Sequence, residues 1–447
     1  MPQSRRAFLK KFTAGAAGIA VSSTAIGMKP QSYRRITGAN DRLNIAVIGL
    51  GARFNSFIDP ITASESNVHV AYLCDVMESQ RIRAANLLSD KLNYKPKLEN
   101  DVRKVLEDKS VDAVLMATPD HWHTPGAILA LRAGKHVYLE KPCSHNMFEN
   151  ELIVKARDKY RLHIQMGNQQ RSSLETADII SQIHDGIIGT AYKALTFYTN
   201  SRGEVPVATP APVPAGLDWE LFQGPAPRSE YKHDTWGYNW HWYEWDYGTG
   251  ETGNNATHEL DIARWALCCD YPERVEVEAS KRHFLNDGWT MYDTMDATFR
   301  FPGDKIIKWD GKSRNGFDTY GGGRGTIIYG SEGSVFINRN LYRLTDRKGK
   351  PVREVKFNSN EAGNTIGGGG DTTTSHVVNF LDTIRGKATL KSPIADAAIS
   401  QSMTHYANIA YRIGKGFDID PKTGVMYDKK AMELWGRSYE PGWEPLI

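Results

Sequence analysis

Cysteine is scarce in this chain: four stand among 447 residues, at Cys74, Cys143, Cys268 and Cys269. None forms a C-x-x-C or other zinc-like spacing. A bridge between the adjacent Cys268 and Cys269 would be strained. All four read as buried thiols, so neither a disulfide scaffold nor a zinc module is expected. His121 and His123 look like a metal pair, but no third ligand follows at suitable spacing, and no metal is assigned. Beyond the first thirty residues no run is apolar for long enough to span a bilayer. Net charge is low too, at +3, and even that excess is local. Arg5, Arg6, Lys10, Lys11 and Lys29 lie in residues 1–30 beside no acid. Without these five of the 55 basic residues, 50 stand against 52 acidic ones. Such a near-neutral body lacks the electrostatic footprint for nucleic acid or an anionic membrane. With 40% hydrophobic and 24% charged residues the composition is that of a globular protein, and the length suffices for two domains.

The first thirty residues read S-R-R-A-F-L-K, followed by a mild apolar run from Phe12 to Ile26. This resembles a twin-arginine export signal, with Arg5 and Arg6 as the pair and small residues near Thr24 to Gly27 as a cleavage region. The resemblance implies a periplasmic destination and a mature chain with no membrane segment. Export of an already folded protein suits a chain of free thiols.

From residue 42 to about 168, strand and helix patterns alternate. Leu43 to Ile48 reads as a buried parallel strand ending in a Gly-x-Gly turn, with a helix from about Ala52. Strands follow at Val68 to Leu73, Val111 to Ala117, His136 to Leu139 and Leu162 to Met166, with helices between. This is the pattern of a doubly wound parallel Rossmann sheet. The pattern then changes, and residues 169–447 read as a second, C-terminal domain. Strand candidates at Val275 to Ala279, Ala297 to Phe301, Ile306 to Trp309, Thr326 to Tyr329 and Ser334 to Ile337 come without crossover helices. A large open, mostly antiparallel sheet is expected in an α/β domain. Gly-rich loops lie at 321–325 and 367–370.

Gly49 and Gly51 sit where strand turns into helix, so the backbone can approach a pyrophosphate at a helix N-terminus. The third glycine of the usual fingerprint is missing, and Phe54 stands in its place. Asp75 ends the second strand, where a carboxylate can accept from both ribose hydroxyls and repel a 2′-phosphate. No Arg adjoins it in sequence, so NAD is favoured over NADP. A solvated strand-end acid is the plainer reading of Asp75.

The fourth strand ends in A-T-P-D-H-W-H and the fifth in L-E-K-P. Together with G-x-G, Asp75 and a later His-containing helix, in this order, the chain resembles the Gfo/Idh/MocA family of NAD(P)-dependent sugar and polyol oxidoreductases. The resemblance implies that Gly49, Gly51 and Arg53 lie along the pyrophosphate and adenosine. It implies that Thr118, Pro119 and His123 lie toward the nicotinamide, with Glu140 also at the cofactor, and that Lys141 faces the substrate hydroxyl. G-N-N-A-T-H-E-L-D matches the family's D-x-G-x-H-x-x-D helix: His258 is its His, Asp261 its final Asp, and Asn254 replaces its first Asp. Asn can hydrogen-bond but cannot act as a base.

Oxidising an alcohol removes a proton from oxygen and a hydride from carbon. His258 suits the proton, and Lys141 suits the developing alkoxide. Either can also be read blandly, as a core histidine and a surface lysine. The aromatic run from Trp236 to Tyr247 is core packing or a platform for sugar faces, with Trp240 and Tyr243 as candidate substrate contacts. Asn168, Gln170 and Arg171 follow the last Rossmann strand, where they hydrogen-bond a sugar or cap a loop. The expected function is NAD-linked redox chemistry on a secondary hydroxyl of a sugar, polyol or glycoside, with a tightly bound, recycled cofactor. One alternative is a redox-neutral glycosidase working through C3 oxidation and elimination. Another is a non-catalytic sugar-binding protein. The resemblance implies that residues 169–447 bind substrate and mediate oligomerisation, and a homo-oligomer is expected from the family's use of its open sheet.

Overall fold

Both sides of the first strand are covered, as its apolar run requires. Leu43–Ile48 (β1) lies between Val68–Cys74 (β2) and Ala113–Met116 (β4), parallel to each. Lys97–Glu99 (β3), His136–Leu139 (β5) and Ile164–Met166 (β6) complete a six-stranded sheet ordered β3-β2-β1-β4-β5-β6. Ala46, Ile48, Val114 and Val137 pack on one face. Ile45, Val47, Leu115 and Tyr138 pack on the other. Crossover helices include Glu78–Leu88 (α1), Asp120–Arg132 (α2) and Met147–Tyr160 (α3). The strand order reverses between β1 and β4, and ligands bind open α/β sheets at that switch point. This computed structural model describes residues 41–243, 245–357 and 371–447. The expected export signal, residues 1–30, and the glycine loop 367–370 lie outside the described residues.

The second sheet is built around Ala191–Ser201 (β7). Its other strands are Arg274–Ser280 (β8), Thr294–Phe301 (β9), Lys305–Lys312 (β10), Arg314–Asn315 (β11), Arg324–Gly330 (β12), Gly333–Ile337 (β13), Leu341–Asp346 (β14), Pro351–Lys356 (β15) and Phe417–Asp418 (β16). The order is β15-β14-β13-β12-β7-β10-β9-β8-β16, with β11 beside β7. Among the described strands of this sheet only the β7–β10 pair is parallel. Helices Leu174–His184 (α4), Thr257–Leu267 (α5) and Ile394–Ile413 (α7) supply Ile179, Leu260 and Met403 to the core beneath this sheet. Asp371–Ile384 (α6) instead returns to the first sheet, where Val377 and Phe380 join Ile45 and Val47.

The two sheets expected from the sequence are therefore present. The helix expected from Ala52 differs: Ala52–Phe57 winds as a 3₁₀ segment before a short α-helix, Ile58–Thr62. Phe54, standing where the fingerprint has glycine, is fully buried there. A ring at that position cannot permit the close helix–strand approach that glycine allows. Among the described residues no helix is long and apolar enough to cross a membrane.

Candidate functional site

Gly49 has φ +85°, and a Cβ on it would lie 2.5 Å from the Ala117 carbonyl oxygen. Only glycine fits this turn. A Cβ on Gly51 would meet nothing within 4 Å, so its backbone borders open space. That space is part of a cavity of about 990 Å³ above the switch point, between the two sheets. Asp75 closes one end. Its Oδ2 accepts from Leu50 N at 2.7 Å and its Oδ1 from Met77 N at 2.8 Å. The carboxylate thus braces the glycine turn as well as lining the cavity. Burial raises its pKa, against those two backbone donors.

The structure also brings two arginines to this end that sequence adjacency did not reveal. Arg81 donates to the Asp75 carbonyl at 2.5 Å. Arg83 donates to the carbonyls of Leu50 and Gly51 and to Asn55. Both sit one helical turn or more along α1, so spacing on the linear chain hides them.

Lys141 follows β5. Its Nζ donates to the Asn254 carbonyl at 2.7 Å and to Asn254 Oδ1 at 3.3 Å. Burial lowers its pKa, and Asp120 and Glu140 pull it back up. Asp120 was not singled out by sequence. It is buried at the start of α2, accepting from Thr249 Oγ1 at 2.6 Å and Thr249 N at 3.0 Å. His258 lies on α5, which is entered through a π-helical turn, Thr252–Ala256, that also carries Asn254. Burial first, then Arg339 and Lys141, hold the His258 pKa well below its ordinary value. The ring is neutral at pH 7 and faces the cavity.

Gly49, Gly51, Arg53, Asp75, Thr118 and Pro119 all line this one cavity. So do His123, Glu140, Lys141, Trp240, Asn254 and His258. Arg53 and Glu140 pair at 2.8 Å. Two buried atoms there have no protein partner, Thr118 Oγ1 and His123 Nε2. Orphaned polar atoms are costly unless a ligand or water meets them. Together with the open face of Gly51, they fit a polar dinucleotide.

Four of the expected substrate residues do not line the cavity. Arg171 is bound through both sides of its guanidinium to Asp261, at 2.7 Å each, and to Asp396 at 2.6 Å. Gln170 donates to the Asn338 carbonyl at 3.2 Å. Asn168 is buried, and its side-chain atoms meet no protein partner. Tyr243 donates to the Pro206 carbonyl at 2.7 Å and packs in a small core with Trp242 and Trp289. The expectation that Gln170, Arg171 and Tyr243 face substrate is corrected, because their side chains are spent on protein contacts; Asn168 is buried and is not among the residues that line the cavity. The aromatic run divides. Trp242 stacks on Trp289 at 4.1 Å as core, whereas Trp236, Tyr238, Trp240 and His241 border the cavity. Sequence reasoning missed His241, Arg202, Arg324 and Arg339 on the lining. Only His241 had a local signal, its place inside the aromatic run.

Comparison with known proteins agrees with this layout. Residues 43–168 match the Gfo/Idh/MocA model for the oxidoreductase family's NAD-binding Rossmann fold. Residues 189–346 match the model for its C-terminal alpha/beta domain. The two ranges together span more than half of the chain. A glycosyl hydrolase family 109 protein from Saccharopolyspora erythraea is 31% identical over 203 residues, covering 42% of this chain and 44% of that protein. An alpha-N-acetylgalactosaminidase from Tannerella forsythia is 26% identical over 220 residues, covering 46% and 47%. The chain thus spans less than half the length of these curated relatives. Among solved structures, an aldose-aldose oxidoreductase from Caulobacter crescentus superposes with TM-score 0.63 at 17% identity, covering 85% of this chain and all of that one. At that identity the likeness concerns the fold.

Proposed function

Because the chain belongs to the Gfo/Idh/MocA oxidoreductase family and carries its NAD-binding domain, we propose that it is a redox-neutral glycosidase. It oxidises a secondary hydroxyl of a glycoside transiently, expels the aglycone by elimination, and restores the sugar. The observation that carries this reading is that Lys141 and the neutral ring of His258 both border the cavity that the glycine turn opens. The glycosidase names of the curated relatives support bond cleavage over net dehydrogenation.

Bound NAD supplies a hydride acceptor at the start of such a cycle and a donor at its end. Gly49, Gly51, Asp75 and Thr118 would hold it. His258 takes the hydroxyl proton, for which a neutral ring is required. Lys141 stabilises the developing alkoxide. Asn254 cannot take a proton, and its two oxygens aim the ammonium. Retention of Lys141 and His258 on one cavity speaks against a protein that merely binds sugar.

The test is to incubate purified protein with a panel of p-nitrophenyl glycosides. Release of p-nitrophenol without accumulation of NADH is expected. Stoichiometric NADH with the glycosidic bond intact would make the protein a net oxidoreductase, and binding with neither product would make it a sugar-binding protein. For the compartment, the reading is export directed by residues 1–30. Replacing Arg5 and Arg6 together with Lys should leave the protein in the cytoplasmic fraction, and unchanged secretion would refute the assignment.

A further inference from the structure

Transient oxidation followed by elimination moves two protons, one from oxygen and then one from carbon, and the roles given above name a single acceptor, His258. We infer that His241 Nε2 is the second: it removes the C2 proton once C3 is oxidised, and later returns it. The inference rests on the glycosidase reading.

His241 ends a single 3₁₀ turn, Asn239–His241, inside the aromatic run. Its Nδ1 lies 2.7 Å from the Tyr238 carbonyl oxygen. A carbonyl only accepts, so Nδ1 carries the hydrogen and Nε2 is left with its lone pair. Among the described residues Nε2 has no hydrogen-bond partner. The ring is held on several sides: Trp240 stacks at 3.5 Å, Tyr238 lies at 4.5 Å and Trp242 at 5.0 Å between centroids. A base fixed this way pays little to orient itself. The residue is only 8% exposed, and it borders the same cavity as Lys141 and His258. The other histidines serve less well. His121 Nε2 is taken by the Phe222 carbonyl, and His123 Nε2 is one of the two orphaned atoms assigned above to the dinucleotide.

Burial, with Lys141 and Arg202 nearby, pulls the His241 pKa down to about 3. The ring is therefore neutral at pH 7, and the Nε2 lone pair is not occupied by a proton. The balance closes. With C3 a ketone, the C2–H bond breaks and its proton goes to Nε2. The electron pair forms C1=C2 as the C1–O bond breaks, and the aglycone oxygen takes a proton from water. The hydroxide so formed adds at C1, and Nε2 returns its proton to C2.

The experiment uses the whole protein in D₂O with a panel of p-nitrophenyl hexosides and N-acetylhexosaminides. Native protein should show reduced-nicotinamide absorbance on the protein and deuterium at C2 of the released sugar. His241→Gln and His241→Asn should keep bound nucleotide and the absorbance band, while C2 deuteration and p-nitrophenol release fall about 100-fold or more. Deuteration at the native rate in either variant would overturn the assignment. So would loss of the band or of the nucleotide in both, since His241 would then act before the C2 step. If native protein gives neither C2 deuterium nor p-nitrophenol with any glycoside, the glycosidase reading itself fails.

Discussion

A lysine ammonium and a histidine ring enclosed in one cavity both respond to burial by favouring the neutral form. For His258 that is the useful state, because an acceptor is needed. For Lys141 it is not, and Asp120 and Glu140 offset the effect by favouring the cation. Removing either side chain should therefore cost chemistry rather than binding. Lys141→Ala and His258→Ala should keep nucleotide, measured after denaturation, while turnover falls about 10²–10⁴-fold. Near-native turnover in both would remove them from the mechanism. Both residues could be read from the sequence, because each sits in a short motif whose neighbours mark it. Asp120 could not. Its role depends on Thr249, which reaches it from a distant segment, and in the linear chain it is only the third letter of T-P-D-H-W-H.

At the scale of elements, α5 shows why a motif residue need not be a site residue. Its Asp261 carboxylate accepts twice from Arg171 and, at 2.6 Å, from Ser400 of α7. Arg264, one turn on, reaches Ser400 and Asp396. The cluster ties α5 to α7 and to the segment after β6. Asp261→Ala would leave the buried Arg171 guanidinium without its main partner, and removing one member of a buried pair costs about 3–5 kcal/mol. A urea titration should show this loss, with Asp261→Asn milder. A midpoint unchanged in Asp261→Ala would mean that the cluster does not support the fold. The same cluster explains the misplaced Arg171, whose position after β6 pointed to the cleft while its partner lay on a helix ninety residues away. Strands showed the same division. Those with a continuous or alternating apolar pattern, such as β1 and β9, were legible from local sequence. The edge strand β15 is largely exposed and mixes charges with valines, so its pairing with β14 is decided by the sheet rather than by pattern.

Among the described residues several histidines are buried and neutral. Burial holds His121, His241 and His405 at about 3 and His376 at about 4. Between pH 6.5 and those values the unfolded chain binds protons that the folded chain does not, so stability falls as pH falls. Each such group contributes about 1.4 kcal/mol per pH unit in that window. Asp75 and Asp120, raised by burial, act in the opposite sense at the acid end. Urea midpoints should therefore drop steeply from pH 6.5 to 5, and a flat profile would contradict the burial of these rings. The other molecule-wide consequence concerns the cofactor. The cavity that would hold it lies between the two sheets, and α6 and α7 of the later chain pack back onto the first sheet. A redox-neutral cycle requires no release, since each turnover ends with the nicotinamide as it began. Extensively dialysed protein should thus yield close to one nucleotide per chain on denaturation, and added NAD should not raise its rate. Activity that vanishes on dialysis and returns with added NAD would show a cofactor exchanged as a co-substrate, and with it a net dehydrogenase.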